Sequence, residues 1–126
     1  MEFKQEGLSK TLGERIVSAE NGRARMELPV GPSVLNPGGF LHGGALATLV
    51  DSAGTVAIMA APSNPDHKPG VTTDLNISYL APTREGVVTA DARAIKVGRT
   101  LAFADVEVRR ADGTVVATGR ITKFMG

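Results

Sequence analysis

The stretch His42-Gly43-Gly44-Ala45-Leu46-Ala47-Thr48-Leu49-Val50-Asp51-Ser52-Ala53-Gly54-Thr55-Val56-Ala57-Ile58-Met59-Ala60-Ala61 decides the fold. It contains no Lys, Arg, Glu or Pro, and Pro62-Ser63-Asn64-Pro65 closes it. At about 100° per residue, Leu46, Leu49, Ala53, Val56 and Ala60 gather on one side, a stripe made to face a sheet. Asp51 lies opposite, among Gly44, Ala47, Thr48, Gly54 and Thr55. The pattern predicts one long helix from about His42 to Ala61. Asp51 has two readings. It marks the solvated face of an amphipathic helix, or it is a working group on a face that a ligand or another backbone can approach closely. A solvated face normally carries several long charged side chains, and this helix has one carboxylate, which favours the second reading. A bilayer span is disfavoured, because the stretch is only just long enough and carries Asp51 near its middle.

Outward from the helix, the remaining segments read as strands and turns. Glu14–Ala19 and Arg23–Leu28 flank Asn21-Gly22, a hairpin signal. The first ten or so residues are expected to form a short helix or a loose arm. Pro29 to Phe40, with its prolines and glycines, is a loop with fixed bends. Downstream, Val71–Leu80, Val87–Val97, Thr100–Arg110 and Thr114–Phe124 are the strand candidates, the last three forming a meander through Gly98-Arg99 and Asp112-Gly113. The expected fold is α+β, a single domain over residues 1–126 with one long helix against an antiparallel sheet. One helix does not cover both faces and both edges of such a sheet, so an oligomer is expected.

Composition narrows the function. The 126 residues carry 14 Lys+Arg against 13 Asp+Glu, for a net charge of +1 with the basic residues scattered, so nucleic acid is not an expected partner. There is no cysteine, which removes disulfides, thiolate metal sites and a cysteine nucleophile; with two histidines, His42 and His67, no metal is expected. The N-terminal residues are polar and lack the apolar core of a secretory signal, so a cytoplasmic protein without membrane attachment is expected.

A second signal sits at the mouth of the helix. Asn36-Pro37-Gly38-Gly39-Phe40-Leu41-His42-Gly43-Gly44 brings glycines up to a helix N-terminus, where free N–H groups and the positive end of the dipole suit an oxyanion or a phosphate. The plainer reading is a tight turn with His42 as cap. His42 and Asp51 stand nine positions apart, about 13.5 Å along a straight helix and on opposite sides. They do not reach one carbonyl within a chain. A site using both takes Asp51 from one subunit and the helix mouth from another, and a two-fold dimer then forms two such sites.

These residues resemble the hotdog-fold acyl-CoA thioesterases, in particular the group of the phenylacetate-pathway enzymes and the animal thioesterase superfamily. The resemblance rests on Asn36-x5-His42-Gly43-Gly44 with Ala47-Thr48-Leu49-Val50-Asp51, then Gly70-Val71-x-x-Asp74-x-Asn76-Ile77-x-Tyr79. Gly98-x-Thr100-Leu101-Ala102-Phe103 and Gly119-Arg120-x-Thr122-Lys123 complete it, in order from Asn36 to the end. It implies a hotdog fold, an antiparallel sheet wrapped around one central helix, pairing edge to edge as a homodimer and often as a dimer-of-dimers tetramer. It implies hydrolysis of an acyl-CoA, aryl-acetyl or medium-chain, to free acid and CoA, with no cofactor beyond the CoA of the substrate.

By the same resemblance the catalytic carboxylate is Asp51, the oxyanion glycine Gly43, and the polar residues at the helix mouth Asn36 and His42. Thr72 stands where the animal group has a serine near the attacking water. Arg84, Arg99, Arg120 and Lys123 are the candidates for the CoA phosphates. Asp51 would act as general base on water or as nucleophile, a choice the sequence leaves open. Alternatives are a hotdog dehydratase or hydratase on acyl-ACP or enoyl-CoA, a non-catalytic acyl-CoA-binding domain, and a structural oligomer without ligand.

Overall fold

The computed structural model describes residues 5–126. A short helix α1 (Leu8–Leu12) precedes strands β1 (Arg15–Glu20) and β2 (Arg23–Pro29). The long helix α2 (Gly43–Met59) follows, then β3 (Val71–Tyr79), β4 (Val87–Val97), β5 (Leu101–Arg109) and β6 (Val115–Phe124). All six strands form one antiparallel sheet in the order β1-β2-β4-β5-β6-β3. The architecture is the hotdog arrangement: the sheet curls about α2, which touches every strand.

The turns follow their local chemistry. Asn21 and Gly22 both adopt positive φ, 52° and 74°, as a two-residue hairpin turn demands. The Gly22 N–H also donates to Ala60 O, which ties the hairpin to the end of α2. At the β5–β6 turn the Asp112 carboxylate accepts from Thr114 N–H and Arg110, which holds its pKa down at about 2. The expected meander β4-β5-β6 is present. β3, by contrast, crosses over the meander and pairs with β6 at the sheet edge, so the two edges are β1 and β3.

The core lies between α2 and the inner sheet face, where alternate residues of each strand point inward: Ala24, Met26 and Leu28 on β2, Val88, Ala90 and Ala92 on β4, Ala102, Ala104 and Val106 on β5. Because the sheet wraps, α2 buries a wider arc than a flat sheet would require. Leu49, Val50, Ala53, Ala57 and Ile58 are all fully buried. Gly54, on the face read from sequence as open to a ligand or another backbone, is part of this arc. A Cβ there would stand 2.7 Å from Ile121 Cδ1 and 3.5 Å from Ala104 Cβ, so the glycine lets the helix close on β5 and β6. Close approach was the right reason for a small residue, and the partner is the protein's own sheet.

Candidate active site

His42 takes the N-cap of α2 in extended conformation, φ −64° and ψ 134°, and its Nδ1 accepts from Gly44 N–H at 2.8 Å. The His42 carbonyl accepts from Ala45 and Leu46. Three N–H groups of the first turn are thereby satisfied by one residue, and the Gly43 N–H is left without a partner among the described residues. Asn36 organises the preceding loop: its Oδ1 accepts from Gly38 N–H at 3.0 Å and from Phe40 N–H at 3.1 Å. Tyr79, at the far end of β3, donates its hydroxyl to Gly43 O at 2.9 Å and braces the same turn from the other side.

The two glycines differ in what they need. A Cβ on Gly44 would sit 3.0 Å from His42 Nδ1, so the capping contact itself calls for glycine. A Cβ on Gly43 would stand at an ordinary 3.5 Å from the Tyr79 ring, and its φ is not positive. Nothing among the described residues requires glycine there.

Eight residues further along the unbroken helix, about 12 Å by rise, stands half-buried Asp51. Its Oδ1 accepts from Thr72 Oγ1 at 2.7 Å. Thr72 is held inward by the register of β3 on β6, opposite Lys123, just before a bulge. Lys123 Nζ donates to that same Thr72 oxygen at 2.9 Å and to Thr55 Oγ1 at 3.0 Å. Burial lowers the Lys123 pKa below 10.5, while the Asp51 charge acts the other way. The structure thus brings Asp51, Thr72 and Lys123 together and sets Asn36, His42 and Gly43 together at the helix mouth, the two groups well apart within one chain.

The four cations expected at CoA phosphates part ways. Lys123 is 5 % exposed and points at the Asp51 cluster, so its amine is turned away from the surface on which a phosphate role depends. Arg120 is paired with Asp105 through two bonds of 2.7 and 3.0 Å on the outer sheet face, which lowers the Asp105 pKa. Arg84 stacks 4.0 Å over the Phe40 ring beside the helix-mouth loop. Arg99 is exposed at the β4–β5 turn, by a recess of about 150 Å³ that Lys68 also lines.

Three features escaped the reading of the sequence: the Tyr79 brace, the inward Lys123, and buried Glu14. The Glu14 Oε1 accepts from Ser9 and Ser52, both at 2.5 Å, and ties the N-terminal segment to α2 next to Asp51. A groove of about 530 Å³ lies on the outer sheet face among Asp91, Arg93, Asp105, Glu107 and Arg120, across the sheet from Asp51. An apolar cleft of about 360 Å³ opens at the helix mouth, walled by Leu41, Gly43, Leu46, Tyr79, Leu80 and Thr83. The latter has the composition of an acyl or ligand pocket.

Comparison with known proteins agrees with this geometry. The model of the family described as Thioesterase superfamily matches residues 38–117, which span both the helix mouth and Asp51. Human acyl-coenzyme A thioesterase 13 is 37% identical over 126 residues, covering 98% of this chain and 88% of its own length. The crystal structure of zebrafish thioesterase superfamily member 2 is 39% identical and superposes with a TM-score of 0.86, over 95% of this chain and 87% of its own. A hypothetical thioesterase from Streptococcus pneumoniae, solved with coenzyme A, is 26% identical with a TM-score of 0.84, over 93% and 89% of the two chains. The chain is a member of the thioesterase superfamily.

Proposed function

We propose that the protein hydrolyses acyl-CoA thioesters to a free acid and CoA, with Asp51 as the reacting carboxylate and the Gly43 N–H as the oxyanion donor. One observation carries this reading. Among the described residues, the first turn of α2 leaves a single N–H unpaired, at a glycine that none of their contacts requires, on the same helix that holds Asp51 against Thr72. A carbonyl oxygen seated on that N–H gains a donor aimed where negative charge develops during attack. The absence of a Cβ admits the thioester to van der Waals contact. Thr72 occupies Oδ1 of Asp51 and leaves Oδ2 for a water, which suits general-base attack on the carbonyl carbon. The relatives named as acyl-CoA thioesterases, and the one solved with coenzyme A, support this substrate class. Water, a carboxylate and a main-chain donor suffice for the reaction, and no cofactor is proposed.

Gly43 and Asp51 lie about 12 Å apart on an unbroken helix, so the reading requires two copies. β3 supplies the edge. It is nine residues long, with Leu75 and Tyr79 exposed and Thr72 on its inner side, so a second copy pairing there sets its own helix mouth near Asp51. The proposed unit is a cytoplasmic homodimer with shared sites, assembled further into a dimer of dimers. CoA phosphates fall to exposed Arg99, with Lys68, and to Arg84. The apolar cleft at the helix mouth takes the acyl group, aryl-acetyl or medium-chain.

Two measurements test the reading. The first is thiol release from phenylacetyl-, hydroxyphenylacetyl- and benzoyl-CoA and from straight chains from butyryl to palmitoyl; no turnover of any of them refutes it. The second is complementation. Asp51→Asn and Gly43→Pro, each inactive alone, are mixed after reversible dissociation. Random reassortment makes half the dimers mixed, each with one intact site of two, so activity recovers to about a quarter of wild type. No recovery, with exchange verified by mass, places both groups in one chain and refutes the shared site.

A further inference from the structure

Lys123 sits where the fold alone has no need of an amine. Its side chain alternates inward on β6 with Ala117, Gly119 and Ile121, and it is 5 % exposed. A methionine or leucine fills that volume without the cost of burying an ammonium. Its partners among the described residues are two hydroxyls, Thr55 on α2 and Thr72 on β3, both within 3.0 Å. An ammonium donates and never accepts. Its contact therefore occupies a lone pair on Thr72 Oγ1, and the Thr72 proton is left to point along the remaining short contact, to Asp51 Oδ1. A threonine hydroxyl alone rotates; here its direction is fixed from behind.

We propose that Lys123 is a positioning residue for hydrolysis: through Thr72 it holds Asp51 in one rotamer. The inference rests on Asp51 being the reacting carboxylate. Other charges do not duplicate the effect. The inner faces of β2, β4 and β5 present Ala, Val, Met and Leu to α2. Glu14, from the segment before β1, is bound by Ser9 and Ser52 and carries the opposite sign. The two histidines stand at the ends of the helix, His42 on Gly44 N–H and His67 on Met59 O, and Tyr79 is engaged at Gly43.

The test is kcat and KM of Lys123→Met, a near-isosteric change, beside the wild type, with thermal melts of both. The substitution is expected to lower kcat about tenfold or more with a smaller change in KM. A merely structural lysine moves the melt and leaves kcat of the folded enzyme in place. Thr55→Val, which removes one anchor of Lys123 and no hydrogen bond to Asp51 or Thr72, is expected to lower kcat in the same direction by less. A folded Lys123→Met with wild-type kcat overturns the proposal; should that variant fail to fold, an unchanged kcat in Thr55→Val overturns it. Asp51→Asn separates the two levels. If it is dead while Lys123→Met is normal, only the role of Lys123 fails; if it turns over normally, the reading of the site fails first.

Discussion

Replacing Gly43 with proline deletes one atom's worth of chemistry, the N–H that the proposed mechanism uses. Gly43 is the first residue of α2, the position at which proline is best tolerated because its N–H has no helical partner. The residue before a proline must be extended, and His42 already is, with φ −64° and ψ 134°. A Cβ at Gly43 would meet the Tyr79 ring at 3.5 Å, ordinary contact. The fold should therefore accept the change, with a melting temperature within a few degrees of wild type. Catalysis should not: loss of one oxyanion donor costs about 10²–10³ in kcat, roughly 3–4 kcal/mol. Gly43→Ala keeps the N–H and adds only the Cβ, so the ratio of the two variants separates the donor from bulk. The assay is thiol release under saturating acyl-CoA together with a thermal melt. A folded Gly43→Pro enzyme with kcat within about threefold of Gly43→Ala would refute the oxyanion assignment.

Three other outcomes follow from the packing. Gly119→Ala places a Cβ 2.8 Å from Val50 Cγ1 and 2.9 Å from Asn76 O, a backbone atom that cannot swing away. Overpacking of this kind costs about 1–3 kcal/mol, read as a lowered urea midpoint, and the accompanying shift of β3 should lower kcat as well. Ser52→Ala withdraws one of the two hydroxyls bound to the buried Glu14 carboxylate and should cost about 1–3 kcal/mol by denaturant melt, with Asp51 and Thr72 untouched. Lys123 has its pKa lowered on folding, so between that value and 10.5 the unfolded chain binds more protons and stability rises with pH. Lys123→Met should lose that rise, measured as the difference between the two urea-stability profiles across the alkaline range.

The fold was legible wherever a local rule decides it. Asn21-Gly22 and Asp112-Gly113 specify their turns by backbone conformation, and the twenty-residue run without a charge other than Asp51 reads directly as the central helix. The placement of β3 was not legible, because no local signal tells an edge strand from a central one. Its pairing with β6 joins Val71 to Phe124 across the whole meander, a contact settled by packing rather than by neighbours in sequence. In the site, Asp51 stood out as a lone carboxylate, whereas Thr72 entered through family resemblance alone. Lys123 was read as one of four candidate cations for the CoA phosphates, on its charge. The period-two alternation Ala117, Gly119, Ile121, Lys123 was the signal that it faces inward, and the same alternation from Leu75 through Ile77 to Tyr79 directs that tyrosine to the helix mouth. Glu14 left no trace, since its burial depends on Ser9 and Ser52, the second of which is 38 residues away.

The central claim is that hydrolysis runs through the Asp51 carboxylate. Asp51→Asn keeps the size of the side chain and an oxygen that accepts from Thr72, and removes the charge that activates water. The decisive measurement is kcat for thiol release by this variant on the best acyl-CoA of the panel, with oligomeric mass and melt matched to wild type. The account predicts a loss deeper than the 10²–10³ expected for the oxyanion donor alone. Near-normal turnover by the folded Asp51→Asn enzyme would contradict it and make the carboxylate a structural partner of Thr72.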